Sequence, residues 1–166
     1  RTKEETKPTL SEYLKPIVER VHKYLEAWNQ WLHDLYDADL LPVYKAGFID
    51  LDRQYLTIGV NGFVEAAGFL KIEISPECEE YKKLASEILD TIEEINRKTR
   101  TEHHKANIEF VPGENAAVKL YQWDKEDGYV VPETRNCYNS YFYIVEDTHT
   151  SPIKKFYYQG TGFADK

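Results

Sequence analysis

The residues best suited to chemistry lie between 105 and 147. Glu109 sits near the end of the alternating run Asn107-Ile108-Glu109-Phe110-Val111, which has the branched and aromatic content of a strand. Pro112-Gly113 breaks that run, and Glu114 to Tyr121 has helical spacing, with Ala117, Val118 and Tyr121 on one side. The first amides of a helix have no partner inside it, so Gly113, Glu114, Asn115 and Ala116 can present N–H groups to a phosphate. An ordinary strand-to-helix turn has the same spacing. Glu109 is a candidate proton carrier, with a surface strand glutamate as the plainer alternative. Downstream, Tyr138 to Val145 reads as a strand with Asn139, Tyr141 and Tyr143 on one face. That face, Asn139 and Tyr143 included, either lines a polar pocket or simply packs, as strand tyrosines usually do. Cys137 is either redox-active or a small packed residue.

Three pieces of this stretch, in order, carry a resemblance. They are Asn-Ile-Glu-Phe-Val-Pro-Gly-Glu-Asn-Ala-Ala-Val-Lys from Asn107, Trp-Asp-Lys-Glu-Asp-Gly-Tyr from Trp123, and Cys-Tyr-Asn-Ser-Tyr-Phe-Tyr from Cys137. Together they resemble the later barrel segment of anaerobic (class III) ribonucleoside-triphosphate reductase. Tyr55-Leu56-Thr57-Ile58-Gly59-Val60-Asn61-Gly62 is similar to an earlier strand-to-helix loop of the same half. The resemblance covers roughly residues 10–150. It implies an α/β fold, part of a ten-stranded barrel of the glycyl-radical-enzyme type, with long amphipathic helices and a few strands. It implies reduction of the ribose 2′-hydroxyl of ribonucleoside triphosphates by glycyl and thiyl radicals, with electrons from formate or a thiol system. It further implies zinc held by four cysteines, an ATP or dNTP effector, a radical S-adenosylmethionine activase, the remainder of a reductase chain and a homo-oligomer. This sequence has no glycyl-radical motif and no zinc cysteines, so the expectation is a substrate-binding segment that does not turn over alone. The competing expectations are a non-catalytic nucleotide- or phosphate-binding module and a subunit that completes a split enzyme in trans.

Composition frames these readings. A chain of 166 residues with 42% hydrophobic and 30% charged residues suits one globular domain. We place it at 11–158, after a loose end at 1–10 and before a tail at 159–166. The net charge of −8 argues against coating nucleic acid, which needs a basic face. No apolar run reaches the ~20 residues of a membrane span. Two cysteines, Cys78 and Cys137, are too few for a disulfide framework, and a reducing cytoplasm is the expected setting. The start at Arg1 and the absence of methionine suggest an excerpt of a longer protein.

The remaining elements position those residues. A capped helix is expected over about 11–36, with Leu14, Ile17, Val18, Val21, Leu25, Trp28, Leu32 and Leu35 as its apolar stripe and Pro16 confined to the first turn. Val43 to Ala46 reads as extended, and 47–53 as a turn. Tyr55 to Val60 reads as a strand and Phe63 to Leu70 as a helix, with Gly62 serving either backbone strain or a ligand. Ser75-Pro76 reads as the start of a helix that runs to Arg100, with Cys78 one turn in. Asp124 to Gly128 reads as a polar turn and Ile153 to Tyr158 as a further strand. No metal site is expected. His22 and His33 on one helix are about 16 Å apart, and His103 and His104 point opposite ways on extended chain.

Overall fold

The computed structural model describes residues 8–110, 113–143 and 149–159, without the side chains of Glu114, Tyr158 and Gln159. The described elements are α1 (Leu10–Asp37), α2 (Pro42–Lys45), a 3-10 turn (Leu51–Arg53), β1 (Leu56–Gly59), α3 (Phe63–Phe69), α4 (Glu79–Thr99), β2 (Ala106–Glu109), α5 (Glu114–Glu126) and α6 (Pro152–Gln159). The chain forms two compact units. The first holds residues 1–58 and 87–108, the second 59–86 and 109–166.

The first unit is built on α1. Thr9 caps it through a capping box with Glu12, whose carboxylate accepts the Thr9 N–H at 2.8 Å. Pro16 lies in the second turn rather than the first, and the helix continues through it. An interior proline costs ~3 kcal/mol or more; the closed N-terminal cap and the buried face beyond it hold the helix together. That face carries Val18, His22 and Asn29, packed in a unit whose other buried residues include Leu51, Leu56, Ile58, Ile92 and Ile95. Ile17 and Trp28, expected in the buried stripe, are exposed. They join Tyr13, Tyr24 and Trp31 in a second apolar row on the helix, where the rings of Trp28 and Trp31 meet edge to face at 4.9 Å. The four residues of α2 are helical rather than extended, because Pro42 stands at the first helical position, where its fixed φ is already suitable.

β1 and β2 form a two-stranded sheet. Leu56 N–H donates to the Lys105 carbonyl at 2.7 Å and Val60 N–H to that of Glu109 at 3.0 Å. The register advances equally on both strands, so they run parallel.

In the second unit, Phe63, Val64 and Ala67 of α3, Tyr81, Leu84 and Ala85 of α4, Ala117 and Tyr121 of α5, and Phe142 are buried. Phe63 is the centre of an aromatic cluster, with Phe142 at 5.1 Å, Tyr81 at 5.2 Å and Phe110 at 6.3 Å, all edge to face. The Tyr81 hydroxyl donates to the Phe142 carbonyl. α4 begins at Glu79, not at Pro76. Ser75 to Cys78 is a turn closed by Cys78 N–H to Ser75 C=O at 3.1 Å, so Cys78 precedes the helix. α5 runs through Asp124–Glu126 where a turn was expected. It stops at Gly128, left-handed at φ 81°, with Tyr129 N–H closing on the Asp124 carbonyl at 2.8 Å. Residues 138–143 form no strand, with 138 and 139 irregular and 140–143 bent, and the rest of that expected strand lies outside the described residues. Residues 152–159 are helical, not extended. Ser151 accepts the Lys154 N–H at 3.3 Å and Pro152 takes the first position, a start signal that outranks the β-forming side chains behind it.

Candidate functional site

The candidate site residues all fall in the second unit. Both strands end there, and each is followed by a glycine-started helix. Gly113 caps α5 without a side-chain bond, and the first helical bond is Ala117 N–H to Gly113 C=O at 2.8 Å. The amides of Glu114, Asn115 and Ala116 therefore precede the helical ladder. Asn115 and Ala116 are exposed and Gly113 is half-buried. Glu109 is exposed at the last position of β2. Pro112 and the Glu114 side chain lie outside the described atoms.

Segment 137–143 crosses the starts of α3 and α5. Tyr138 N–H reaches the Ala117 carbonyl at 3.4 Å. Asn139, 5% exposed, is tied at three points. Its carbonyl accepts the Gly62 N–H at 2.9 Å, its N–H donates to Glu65 Oε1 at 3.0 Å, and its Oδ1 accepts the Tyr141 N–H at 2.8 Å. Among the described residues no hydrogen bond is made by the side-chain amide nitrogen of Asn139, the group that could meet a ligand. The Ser140 hydroxyl accepts from Asn61 Nδ2 at 2.8 Å. Tyr143 stacks on Tyr141 at 5.6 Å, with the Lys155 ammonium 5.5 Å from its ring centre. Burial, with Tyr141 beside it, raises the Tyr143 pKa, so its phenol remains a donor at neutral pH. Cys137 is a free, half-buried thiol.

Sequence reading missed the groups that hold this segment. Glu65 Oε1 also lies 3.5 Å from Arg135 Nη1, both side chains being largely buried. The Tyr138 hydroxyl donates to Asp124 Oδ2 at 2.5 Å. Burial and then that carboxylate push the phenol pKa far up. Gly62 is left-handed at φ 77°, and a Cβ there would point at the Tyr138 ring, 3.7 Å away. The glycine serves the backbone, and a side chain covers the face a ligand would use.

The first unit carries a different polar cluster. His22 Nε2 meets Asn96 Oδ1 at 2.8 Å, and His22 Nδ1 meets His104 Nε2 at 3.0 Å and Thr99 Oγ1 at 3.1 Å. Asn96 Oδ1 can only accept, so His22 carries its proton on Nε2 and His104 donates from its own Nε2. Burial lowers the His104 pKa. His103 instead is exposed and bonds Asp52 through Nδ1 at 2.6 Å, which raises its pKa. The two adjacent histidines thus serve different partners, as their opposed directions required. His33, Asp52 and His103 come together, a grouping that spacing along the chain does not reveal.

This arrangement of helices around a short parallel pair is similar to part of solved anaerobic ribonucleotide reductases. One such solved structure covers 90% of this chain with 29% identity and a TM-score of 0.77, the match spanning 24% of its own length. Two from Thermotoga maritima, one with dATP bound in the specificity site and one in complex with dATP and CTP, each match at 30% identity and TM-score 0.78. Each covers 90% of this chain and 26% of its own. The chain therefore spans about a quarter of the length of these proteins. The family model for anaerobic ribonucleoside-triphosphate reductase matches residues 2–164, and this chain belongs to that family. A search of curated protein sequences finds no match. No helix among the described residues is long and apolar enough to cross a membrane.

Proposed function

We propose that this chain supplies the substrate-side contacts of an anaerobic ribonucleoside-triphosphate reductase, as part of a ten-stranded barrel. The amides of Gly113, Glu114, Asn115 and Ala116 hold the substrate phosphate. An anion at such a terminus gains from the helix dipole, up to ~2 kcal/mol in a partly buried setting. Glu109, at the end of β2, carries a proton between the 3′-hydroxyl and the departing 2′-hydroxyl, which leaves as water. The Asn139 amide nitrogen and the Tyr143 hydroxyl donate to ribose or phosphate oxygens. Cys137 is the thiol nearest in sequence to these contacts and the candidate for a redox role. The family's glycyl and thiyl groups supply the radical chemistry at ribose. Its four-cysteine zinc site does not fit here, since Cys78 and Cys137 offer only two thiols. The reading extends to a cytoplasmic homo-oligomer with an ATP or dNTP effector, an activase and formate or a thiol system as reductant.

The observation that carries the proposal is the set of amides ahead of the α5 ladder, with Asn115 and Ala116 exposed, beside a segment fixed to both helix starts. Titration of the chain with CTP or ATP, followed by amide NMR, tests it. Saturable shifts at residues 113–116 are expected. Their absence up to about 1 mM, a binding free energy of only ~−4 kcal/mol, would refute the phosphate role.

A further inference from the structure

We propose that His33, Asp52 and His103 form a binding site for a divalent first-row metal ion, of which zinc is the best match. One ligand atom from each lies within 4.8 Å of the other two. Two ligands of a tetrahedral zinc at 2.0–2.1 Å bonds are about 3.3 Å apart. The three side chains are therefore within a small rotamer adjustment of a common ion. Asp52 and His103, now bonded at 2.6 Å, sit closer than two ligands would. The ion takes the place of the proton between them, and both side chains are exposed enough to open.

Three features separate this from a surface ion pair. His33 adds a second imidazole, with its ring 5.8 Å from that of His103 and nearly perpendicular to it. The Nε2 of His33 is buried and has no hydrogen-bond partner among the described residues, an arrangement that costs free energy unless another group engages the ring. The backbone of the site is also fixed. Asn29, one turn before His33 on α1, donates from Nδ2 to the His103 carbonyl at 2.9 Å, and Lys105 Nζ donates to the Asp52 carbonyl at 3.0 Å. Such outer bonds orient ligands before the metal arrives.

The site opens on a cleft of about 390 Å³, lined by Glu26, Gln30 and Thr101 as well as Asn29, His33 and the two loop histidines. Glu26 adds negative charge that favours a cation, while the Lys105 ammonium opposes it. Two imidazoles and one carboxylate suit zinc, cobalt or nickel better than calcium or magnesium, which take oxygen ligands. Three protein ligands leave a coordination position for water or a small anion in the cleft, the pattern of a reactive rather than a purely structural zinc.

The test is a titration of the chelator-treated chain with Co2+, followed by competition with Zn2+. One equivalent of cobalt is expected, with visible d–d absorption and no thiolate charge-transfer band. Asp52→Asn, His33→Gln and His103→Gln should each weaken binding tenfold or more, since even outer-shell losses cost 10–100-fold. A Cys78→Ser/Cys137→Ser chain should bind unchanged. Asp52→Asn and His103→Gln alter exposed side chains and keep the backbone bonds, so circular dichroism should show them folded. No stoichiometric binding by about 0.1 mM metal overturns the proposal. So does binding that survives all three substitutions or disappears with the cysteines.

Discussion

Gly62→Ala separates backbone strain from ligand approach at the start of α3. Gly62 holds φ at 77° while its N–H ties Asn139. An alanine in that region costs ~1–2 kcal/mol. Replacing glycine also restricts the unfolded chain, which returns ~0.4–1 kcal/mol. The new Cβ would sit 3.7 Å from Tyr138, ordinary contact, so no steric cost is added. The net expectation is a loss of about 1 kcal/mol. With a urea slope of ~1–3 kcal/mol/M, the midpoint should fall by about 0.3–1 M in far-UV circular dichroism. Gly62→Asn should lose less, because asparagine tolerates the left-handed region. Gly68→Ala is the control: it lies inside α3 with open space around it, and should be neutral or stabilise by up to ~1 kcal/mol. A Gly62→Ala loss above ~3 kcal/mol would mean a clash the geometry denies. A gain would mean the backbone is not held left-handed. Either result refutes the account.

His22→Leu should cost about 2–5 kcal/mol, because it strands Asn96 Oδ1 and His104 Nε2 in a buried setting. The His22→Leu/Asn96→Leu pair should lose less than the sum, read from urea midpoints, and strict additivity would contradict the network. Absorbance titration of the phenols should show tyrosines ionising above the ordinary pH 10, Tyr138 far above it, with Tyr138→Phe and Tyr143→Phe each removing one. Their folded pKa values exceed the unfolded one, so the stability they support is present below about pH 10 and declines as pH rises beyond it. A midpoint that climbs with pH there would reverse the sign.

Periodicity located α1, β1 and α3 to within a residue or two, because each has one face turned to a core, and β2 was found from its β-forming side chains, although none of its residues is fully buried. It failed at 138–143 and 152–159, where aromatic and branched side chains suggested strands. In the first, side-chain and backbone bonds to α3 hold the chain bent. In the second, Ser151-Pro152 starts a helix. The start of α5 behind Gly113 was legible because the signal is local in the chain. The braces Asn61–Ser140 and Glu65–Asn139 join residues more than seventy positions apart, and no spacing rule could pair them. His33, Asp52 and His103 were hidden for the same reason, and only the folded backbone brings their donors together.

The outward row on α1 bears on how this protein can be watched. Trp28 and Trp31 are 53% and 50% exposed, and Trp123, on α5, is 56% exposed. All three indoles in the sequence already face water in the folded chain. Their emission should shift little to the red on denaturation and will make a poor gauge of unfolding. A blue shift would instead report a surface laid over α1 or α5, without any added dye.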